Sequence, residues 1–407
     1  MRRIVLAALA AVLVFSGTAV AAPPGRTPVV LFPAFHLTKL AVTVDGQTSA
    51  PGCPASGSFE DWYQNDRPST TFSQVCQDRL RTLRYDANPA VPMAARFSEQ
   101  PGVHVRIRDY GRTTSAPYYE ALYRKLEANG YRRDHDIRVA GYDSRLTPDQ
   151  DDFLRRTRRL VEDTYLANGN RPVQLVGHSN GPIYAQYLLT HSSHSWRRKY
   201  VHGFTPIAGN FPGQGLLYPV LFTGLDMQDF GYPVHEENAR SSAEMYLSAP
   251  STYLSAADPA VFGDREVVVE DASTGRAYTP RDYRGLFADA HLPVAREIAD
   301  HYLGFVEFAD PRSFPDVDVH AEKGSGVTTT VGARLPNLTV GQTASTARFL
   351  TRDGDGNQED LTNDAVLVWR GMRHHRFTLN DNRGVDHFSL AADRNVLDRL
   401  VVLLLTR

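Results

Sequence analysis

Pro172-Val-Gln-Leu-Val-Gly-His-Ser-Asn-Gly-Pro-Ile-Tyr-Ala-Gln-Tyr-Leu188 is the stretch in which an apolar, strand-like run turns into a helix-like one, with Ser179 at the corner. Val173, Leu175 and Val176 suit a buried parallel strand, and Ile183, Ala185, Tyr187 and Leu188 supply apolar positions to a following helix. Gly177 and Gly181 frame the serine in a G-x-S-x-G pattern, where the missing side chains let strand and helix close around a strained hydroxyl. This reads as a nucleophile elbow. The bare pattern arises by chance at ordinary glycine and serine frequencies, so the flanking periodicities carry the reading against an ordinary turn with a surface serine.

Outward from the elbow, strand and helix signals alternate. Pro28-Val-Val-Leu-Phe-Pro33 is a short buried strand, Val103 to Ile107 alternates like a strand, and Tyr118 to Asn129 has helical spacing. Asp136 to Tyr142 is the next strand, Asp151 to Ala167 a charged helix with an apolar stripe, and Val201 to Ala208 the strand after the elbow. That alternation predicts an α/β fold, a mainly parallel sheet flanked by helices. From 213 to 312 the periodicity degrades, which reads as an inserted cap. Order resumes at Val317 to His320 and Thr346 to Leu350, and a helix over Ala391 to Leu405 closes the chain. The expected organisation is a first core part at 23–212 with a lid loop at 45–80, the cap at 213–312, and a second core part at 313–407.

The 407 residues are ample for an enzyme core with such a cap. Formal charge is -2 with no block of like charge, so nothing points to a nucleic-acid partner. Met1-Arg-Arg3, an apolar run from Ile4 to Phe15 and Thr18-Ala-Val-Ala-Ala22 have the parts of a secretory signal, with cleavage expected near Ala21 or Ala22. The segment 1–22 is therefore excluded from the fold, and the mature chain is expected to be secreted. Cys53 and Cys76 are the only cysteines, and in an oxidising destination one disulfide is their natural use, against two free buried thiols. The histidines show neither a cysteine partner cluster nor an H-E-x-x-H spacing, so neither metal nor cofactor is implied.

A serine hydroxyl needs a general base, and the base needs a group to hold its tautomer. In α/β-hydrolases the chain order is serine, acid, histidine. Ser179, an aspartate on the acidic turn Asp353-Gly-Asp-Gly-Asn-Gln-Glu-Asp360, and His387 on Gly384-Val-Asp-His387 fit that order. Asp355 is the preferred acid, with Asp353, Asp360 and Asp364 as rivals. His374 and His375 compete with His387 but lie in an exposed polar run, and His178 is read as bonding or packing within the elbow. The backbone N–H groups of Asn180 and Phe35, the latter on the loop after the first strand, are the expected oxyanion donors.

Taken together these segments resemble the lecithin:cholesterol acyltransferase family in collinear order. Pro28 to Pro33 is similar to its opening strand and oxyanion loop, and Cys53 and Cys76 fall where the family staples its lid, with a tryptophan between them as at Trp62. Pro101 to Thr113, Asn129-Gly-Tyr131, Tyr142-Asp-Ser-Arg145, Tyr278 to Arg284 and Gly324-Ser-Gly-Val327 resemble further family segments. Asp353-Gly-Asp-Gly356 resembles the segment bearing the acid, which favours Asp355, and Gly384 to His387 the loop bearing the histidine. The resemblance implies the α/β-hydrolase fold with a cap and a stapled lid, and Trp62 as a lid or acyl-groove candidate. It also implies a serine acyl hydrolase or acyltransferase on lipid esters that works through an acyl-enzyme on Ser179 without a cofactor.

Three departures qualify that expectation. Pro54 to Val75 is largely polar where the family's stapled loop is apolar, so contact with a membrane surface is expected to be weak. Ala208-Gly-Asn-Phe-Pro-Gly213 replaces the family's Gly-Ala-Pro-Trp-Gly-Gly, and Asn357-Gln-Glu359 replaces Thr-Val after the acid. Two other readings therefore stand beside the first: a secreted carboxylesterase on soluble or polymeric esters, and a catalytically weak lipid-binding relative.

Overall fold

Val29–Phe32 is wholly apolar and wholly buried, as a central parallel strand covered on both faces must be. In the computed structural model, which describes residues 25–46, 50–61, 71–224, 238–372 and 374–406, it lies within a six-stranded sheet. The expected signal peptide and Trp62 lie outside the described residues. Across the sheet the order is Phe377–Arg383, Val319–Ser325, Val201–Ile207, Val173–His178, Val29–Phe32 and Ile137–Val139, every neighbouring pair parallel.

Side chains alternate between the two faces. Val30, Phe32 and Leu175 pack with Leu160, Val161, Ile183 and Leu188 of the helices Phe153–Ala167 and Gly181–Thr190. Val29, Leu31 and Val176 meet Leu122 and Leu126 of Glu120–Glu127 and Val396, Leu400 and Leu404 of Arg394–Leu405. Each such fully buried aliphatic side chain contributes about 1.5–3 kcal/mol against exposure. The last helix starts at Arg394 rather than near Ala391, because the Asp393 carboxylate accepts from the N–H groups of Asn395 and Val396.

The chain runs from Val29–Phe32 out to the edge strand Ile137–Val139, then returns to the other flank of the first strand as Val173–His178. This reversal splays the loops that follow the two central strands and leaves a crevice beyond their carboxyl ends. Phe35 follows one of these strands and Ser179 the other.

Val103–Ile107 does not join this sheet, contrary to the alternation expected from sequence. It pairs antiparallel with Leu40–Asp45, which also pairs with Ser56–Asp61. Its alternating burial suits a sheet with one wet face. The segment expected as a loop at 45–80 thus contains a strand, Ser56–Asp61, and a helix, Gln74–Arg81. Phe59, Phe72, Cys76 and Leu80 form a small core with Val42, Val44 and Val103.

A second apolar core lies under a four-stranded sheet ordered Arg276–Tyr278, Val269–Asp271, Val327–Leu335, Arg348–Gly354. The helices Leu217–Thr223, Ala239–Ser248, Tyr283–Asp289 and Pro293–Tyr302 pack on it through Leu221, Met245, Leu286 and Ile298. This sheet takes two strands from before residue 312 and two from after it.

Cys53 and Cys76 form a disulfide, 23 residues apart in sequence, which ties the hairpin loop to the helix Gln74–Arg81. Opening a loop of that length removes roughly 3 kcal/mol on the chain-entropy account. Thermal unfolding with and without a reductant that opens this bond is expected to show a lower midpoint for the reduced chain, and Cys53→Ser to reproduce that midpoint with no further effect of reductant.

Candidate active site

Ser179 sits on the turn between the strand Val173–His178 and the helix Gly181–Thr190 with φ of 59°, the left-handed strain expected of an elbow. Its N–H donates to the Ile207 carbonyl at 2.9 Å and its carbonyl accepts from Asn210 at 3.0 Å, so the neighbouring strand end holds the strained residue on both sides. A Cβ at Gly181 would stand 2.1 Å from the Phe32 carbonyl oxygen, and one at Gly177 would stand 2.8 Å from the Pro182 nitrogen. Both glycines are therefore required by close approach.

Asp355 and His387 are brought together and fully enclosed. His387 Nδ1 and Asp355 Oδ2 are 2.9 Å apart, and the His387 N–H donates to the Asp355 carbonyl at 2.7 Å. The other carboxylate oxygen accepts from the N–H groups of Asn357 at 3.0 Å and Gln358 at 2.7 Å. Burial alone would push this carboxyl up; the His387 charge and hydrogen bond, with the two amides, outweigh it and hold it below its ordinary value. An ionised Asp355 fixes the proton of neutral His387 on Nδ1 and leaves Nε2 as the basic nitrogen, and Nε2 has no hydrogen-bond partner. Of the rival acids, Asp364 pairs with Lys323 at 2.5 Å, and Asp353 is exposed on a strand.

Ser179, Asn180, Phe35 and Phe388, the residue after His387, line one cavity. Asn180 stands at the start of the helix Gly181–Thr190, where backbone N–H groups have no intrahelical acceptor. Ala34 and Phe35 lie just beyond the first strand. Next to them half-buried His36 has φ of 59°, and desolvation lowers its pKa to about 4.

A hydrogen-bonded chain that the sequence did not reveal links the three loops. The Ala34 N–H donates to the Tyr119 hydroxyl at 2.8 Å, and that hydroxyl lies 3.1 Å from His178 Nδ1. His178 Nε2 is 2.9 Å from the His387 carbonyl. A carbonyl only accepts, so Nε2 carries the proton and Nδ1 accepts from Tyr119. Burial, reinforced by His387, lowers the His178 pKa to about 3, which keeps this ring neutral. His178 thus positions the loop after Val29–Phe32, the serine turn and the loop bearing His387 relative to one another, and Tyr119, five residues after Thr114 in a plain tyrosine pair, carried no signal of that role.

Two buried charge networks brace the surroundings. Arg81 pairs with Asp61 and Asp78, both at 2.7 Å, and Asp78 accepts from the Ser241 and Ser242 hydroxyls of the helix Ala239–Ser248. Arg145 joins Asp143, Glu99 and the Arg81 carbonyl. On the other flank, Glu359 accepts from the Gly215 N–H at 2.9 Å, and the neighbouring Glu266 pairs with Arg352 at 2.7 Å. Burial first, and then Glu266, raise the Glu359 pKa well above its ordinary value. Among the described residues no group of three or more His, Cys, Asp or Glu side chains is placed to hold a metal ion.

The parallel sheet, its switch point and the strained serine turn define an α/β-hydrolase. A chain in the crystal structure of the Tle4-Tli4 complex shares the fold over 93% of this chain and 98% of its own, at TM-score 0.53 and 11% identity. The sequence comparisons are narrower. The model of the lecithin:cholesterol acyltransferase family matches residues 77–295, and the chain belongs to that family. Mouse phosphatidylcholine-sterol acyltransferase is 26% identical over 326 residues, 77% of this chain and 70% of that protein. Mouse lysosomal phospholipase A and acyltransferase is 28% identical over 328 residues, 75% of this chain and 73% of that one.

Two outcomes follow from these networks. Tyr119→Phe leaves the Ala34 N–H and His178 Nδ1 without their partner and is expected to lower stability by about 1–3 kcal/mol in urea unfolding. Glu359 has a raised folded pKa, so it costs nothing while protonated and its penalty grows as pH rises above its ordinary 4.5 through the folded value. Glu359→Gln is expected to flatten the loss of thermal stability measured from pH 5 towards pH 8.

Proposed function

We propose that the protein is an exported serine acyl hydrolase and acyltransferase on lipid esters, working through an acyl-enzyme on Ser179. The observation that carries this reading is the enclosed Asp355–His387 pair beside the cavity that Ser179 lines. The Ser179 hydroxyl attacks the ester carbonyl carbon while His387 Nε2 takes its proton. The N–H groups of Asn180 and Phe35 face the oxyanion, and Asp355 stabilises the imidazolium. His387 returns the proton to the departing alcohol oxygen, leaving acyl-Ser179. Water or a lipid alcohol then gives a proton to His387 and attacks the acyl carbon, which releases an acid or a new ester and restores the serine. His178, held neutral, does not compete as base.

Export is supported by the pattern of residues 1–22 and by the disulfide. No helix of the described residues is long and apolar enough to cross a membrane. The stapled segment serves as the lid and the residues from 213 to 312 as the cap, clamped together through Asp78, Ser241 and Ser242. A second reading, an esterase for soluble esters, is favoured by the exposure of Ser56, Gly57 and Ser58 on the stapled segment, which offers a lipid surface little apolar area.

Turnover of phosphatidylcholine liposomes with and without a lipophilic alcohol, beside a soluble p-nitrophenyl ester, separates the readings. Long acyl chains are expected to be released to water and passed to the alcohol, and Ser179→Ala to lose a factor on the order of 10³ or more on every substrate. A fluorophosphonate should label Ser179. Activity confined to the soluble ester would move the assignment to the second reading, and full turnover by Ser179→Ala would end both.

A further inference from the structure

The peptide unit between Ser179 and Asn180 is held from two sides. Among the described residues every peptide bond is trans, so in this unit the Ser179 C=O and the Asn180 N–H point in opposite directions. The Asn210 N–H donates to the Ser179 carbonyl at 3.0 Å. That bond fixes the plane of the unit and turns the Asn180 N–H away from Asn210. The second hold falls on the Asn180 side chain, whose Oδ1 accepts from the Ser255 hydroxyl at 2.9 Å and from Asn210 Nδ2 at 3.4 Å. Asn180, Asn210 and Ser255 are each more than nine-tenths buried.

Ser255 can act as a hold because it is itself anchored. It ends the helix Pro250–Ser255, and its carbonyl accepts from the Gln214 N–H at 3.0 Å and from Asn210 Nδ2 at 3.3 Å. Near the start of the same helix the Ser251 hydroxyl bonds the Ser144 carbonyl, and the Ser251 N–H donates to the Arg145 carbonyl at 3.3 Å. The helix is therefore a short strut that begins on the segment after the edge strand Ile137–Val139 and ends on Asn180. A serine hydroxyl has one proton to donate, and Ser255 gives it to Asn180.

Donors aimed in advance at the place where charge develops stabilise it without having to reorganise, and small displacements of such groups are felt in the rate. We infer that Ser255 is a positioning residue for the proposed oxyanion donor: with Asn210 it holds Asn180 so that the Asn180 N–H stays on the oxygen that gains charge when Ser179 adds to the ester carbonyl. Ser255 acts through the Asn180 side chain, while the N–H that meets the oxyanion belongs to the backbone. Asn210 stands in 208–213, where the sequence departs from the family pattern and where that pattern has proline, a residue with no N–H to give. The clamp is in that respect particular to this chain.

This inference rests on the acyl-enzyme reading, and its test keeps the two apart. The full chain, Ser255→Ala, Asn180→Ala, the double variant and Ser251→Ala are assayed on p-nitrophenyl butyrate with Ser179→Ala as blank. Each is also titrated with an alkyl trifluoromethyl ketone, whose adduct with a serine carries an oxyanion. Ser255→Ala is expected to lower kcat about tenfold or more with KM within about twofold, since the oxyanion forms in both acylation and deacylation, and to weaken the ketone by a similar factor. Asn180→Ala keeps the N–H and loses the anchor, so it is expected to show the same loss, and the double variant to be within about twofold of either single one. Ser251→Ala removes a buried hydroxyl from the same helix that does not reach Asn180, and is expected to lower the Tm while keeping kcat. An unchanged kcat in Ser255→Ala, losses that multiply in the double variant, or an equal loss of kcat in Ser251→Ala would overturn the positioning role while Ser179-dependent turnover kept the acyl-hydrolase reading. No Ser179-dependent turnover of the ester by the unaltered chain would end both.

Discussion

His178 stands between three loops and bonds two of them with its two nitrogens while its backbone belongs to the third. Its Nδ1 takes the Tyr119 hydroxyl, which holds the Ala34 N–H, and its Nε2–H meets the His387 carbonyl. Inside a wholly buried site each of these bonds is stronger than at the surface, and each missing partner would be correspondingly costly. The ring can serve both neighbours only while neutral, and burial secures that state. The relative placement of the loop after Val29–Phe32, Ser179 and His387 therefore depends on one tautomer of one residue outside the proposed triad.

The braces around this centre are of a different kind. Arg81 and Arg145 are buried with carboxylates on each side, and the desolvation of such groups offsets most of their attraction. Their contribution is geometric. Arg145 grips Asp143 after the edge strand and the carbonyl of Arg81 at the end of the stapled helix, and Asp78 grips the helix Ala239–Ser248 through two serines. The stapled segment is thereby joined to the sheet and to the helix Ala239–Ser248 at once by groups that cannot be parted without leaving a charge buried alone.

Much of this was legible in the sequence, unevenly. The central strands were readable because both faces are covered and apolar runs such as Val29–Phe32 admit no polar residue. Ser179 was readable because strand, glycines and helix agree at every level. Val103–Ile107 was misplaced because its alternation marks a half-wet strand without saying which sheet it joins. The acid turn and the residues just after it offered Asp353, Asp355, Asp360 and Asp364, and only the fold shows that Asp355 alone has both its backbone and its carboxylate against His387. Tyr119 and Glu359 left no trace, since their roles arise from contacts across 59 and 144 positions of chain and not from any local pattern.

The second sheet has a consequence for how the molecule can be taken apart. Val269–Asp271 lies directly against Val327–Leu335, whose other flank carries Arg348–Gly354, the strand that delivers the chain to Asp355. A protein engineer who excised the stretch before residue 312 to shorten the enzyme would not be removing an appendage. The cut would turn a paired strand into a bare edge of unmatched N–H and C=O groups, an invitation to associate with other copies. It would also leave Arg352 without Glu266, one strand away from the proposed catalytic acid. Val269–Asp271 and the strand leading to Asp355 are in this sense one structural unit, and chimeras among relatives should exchange them together.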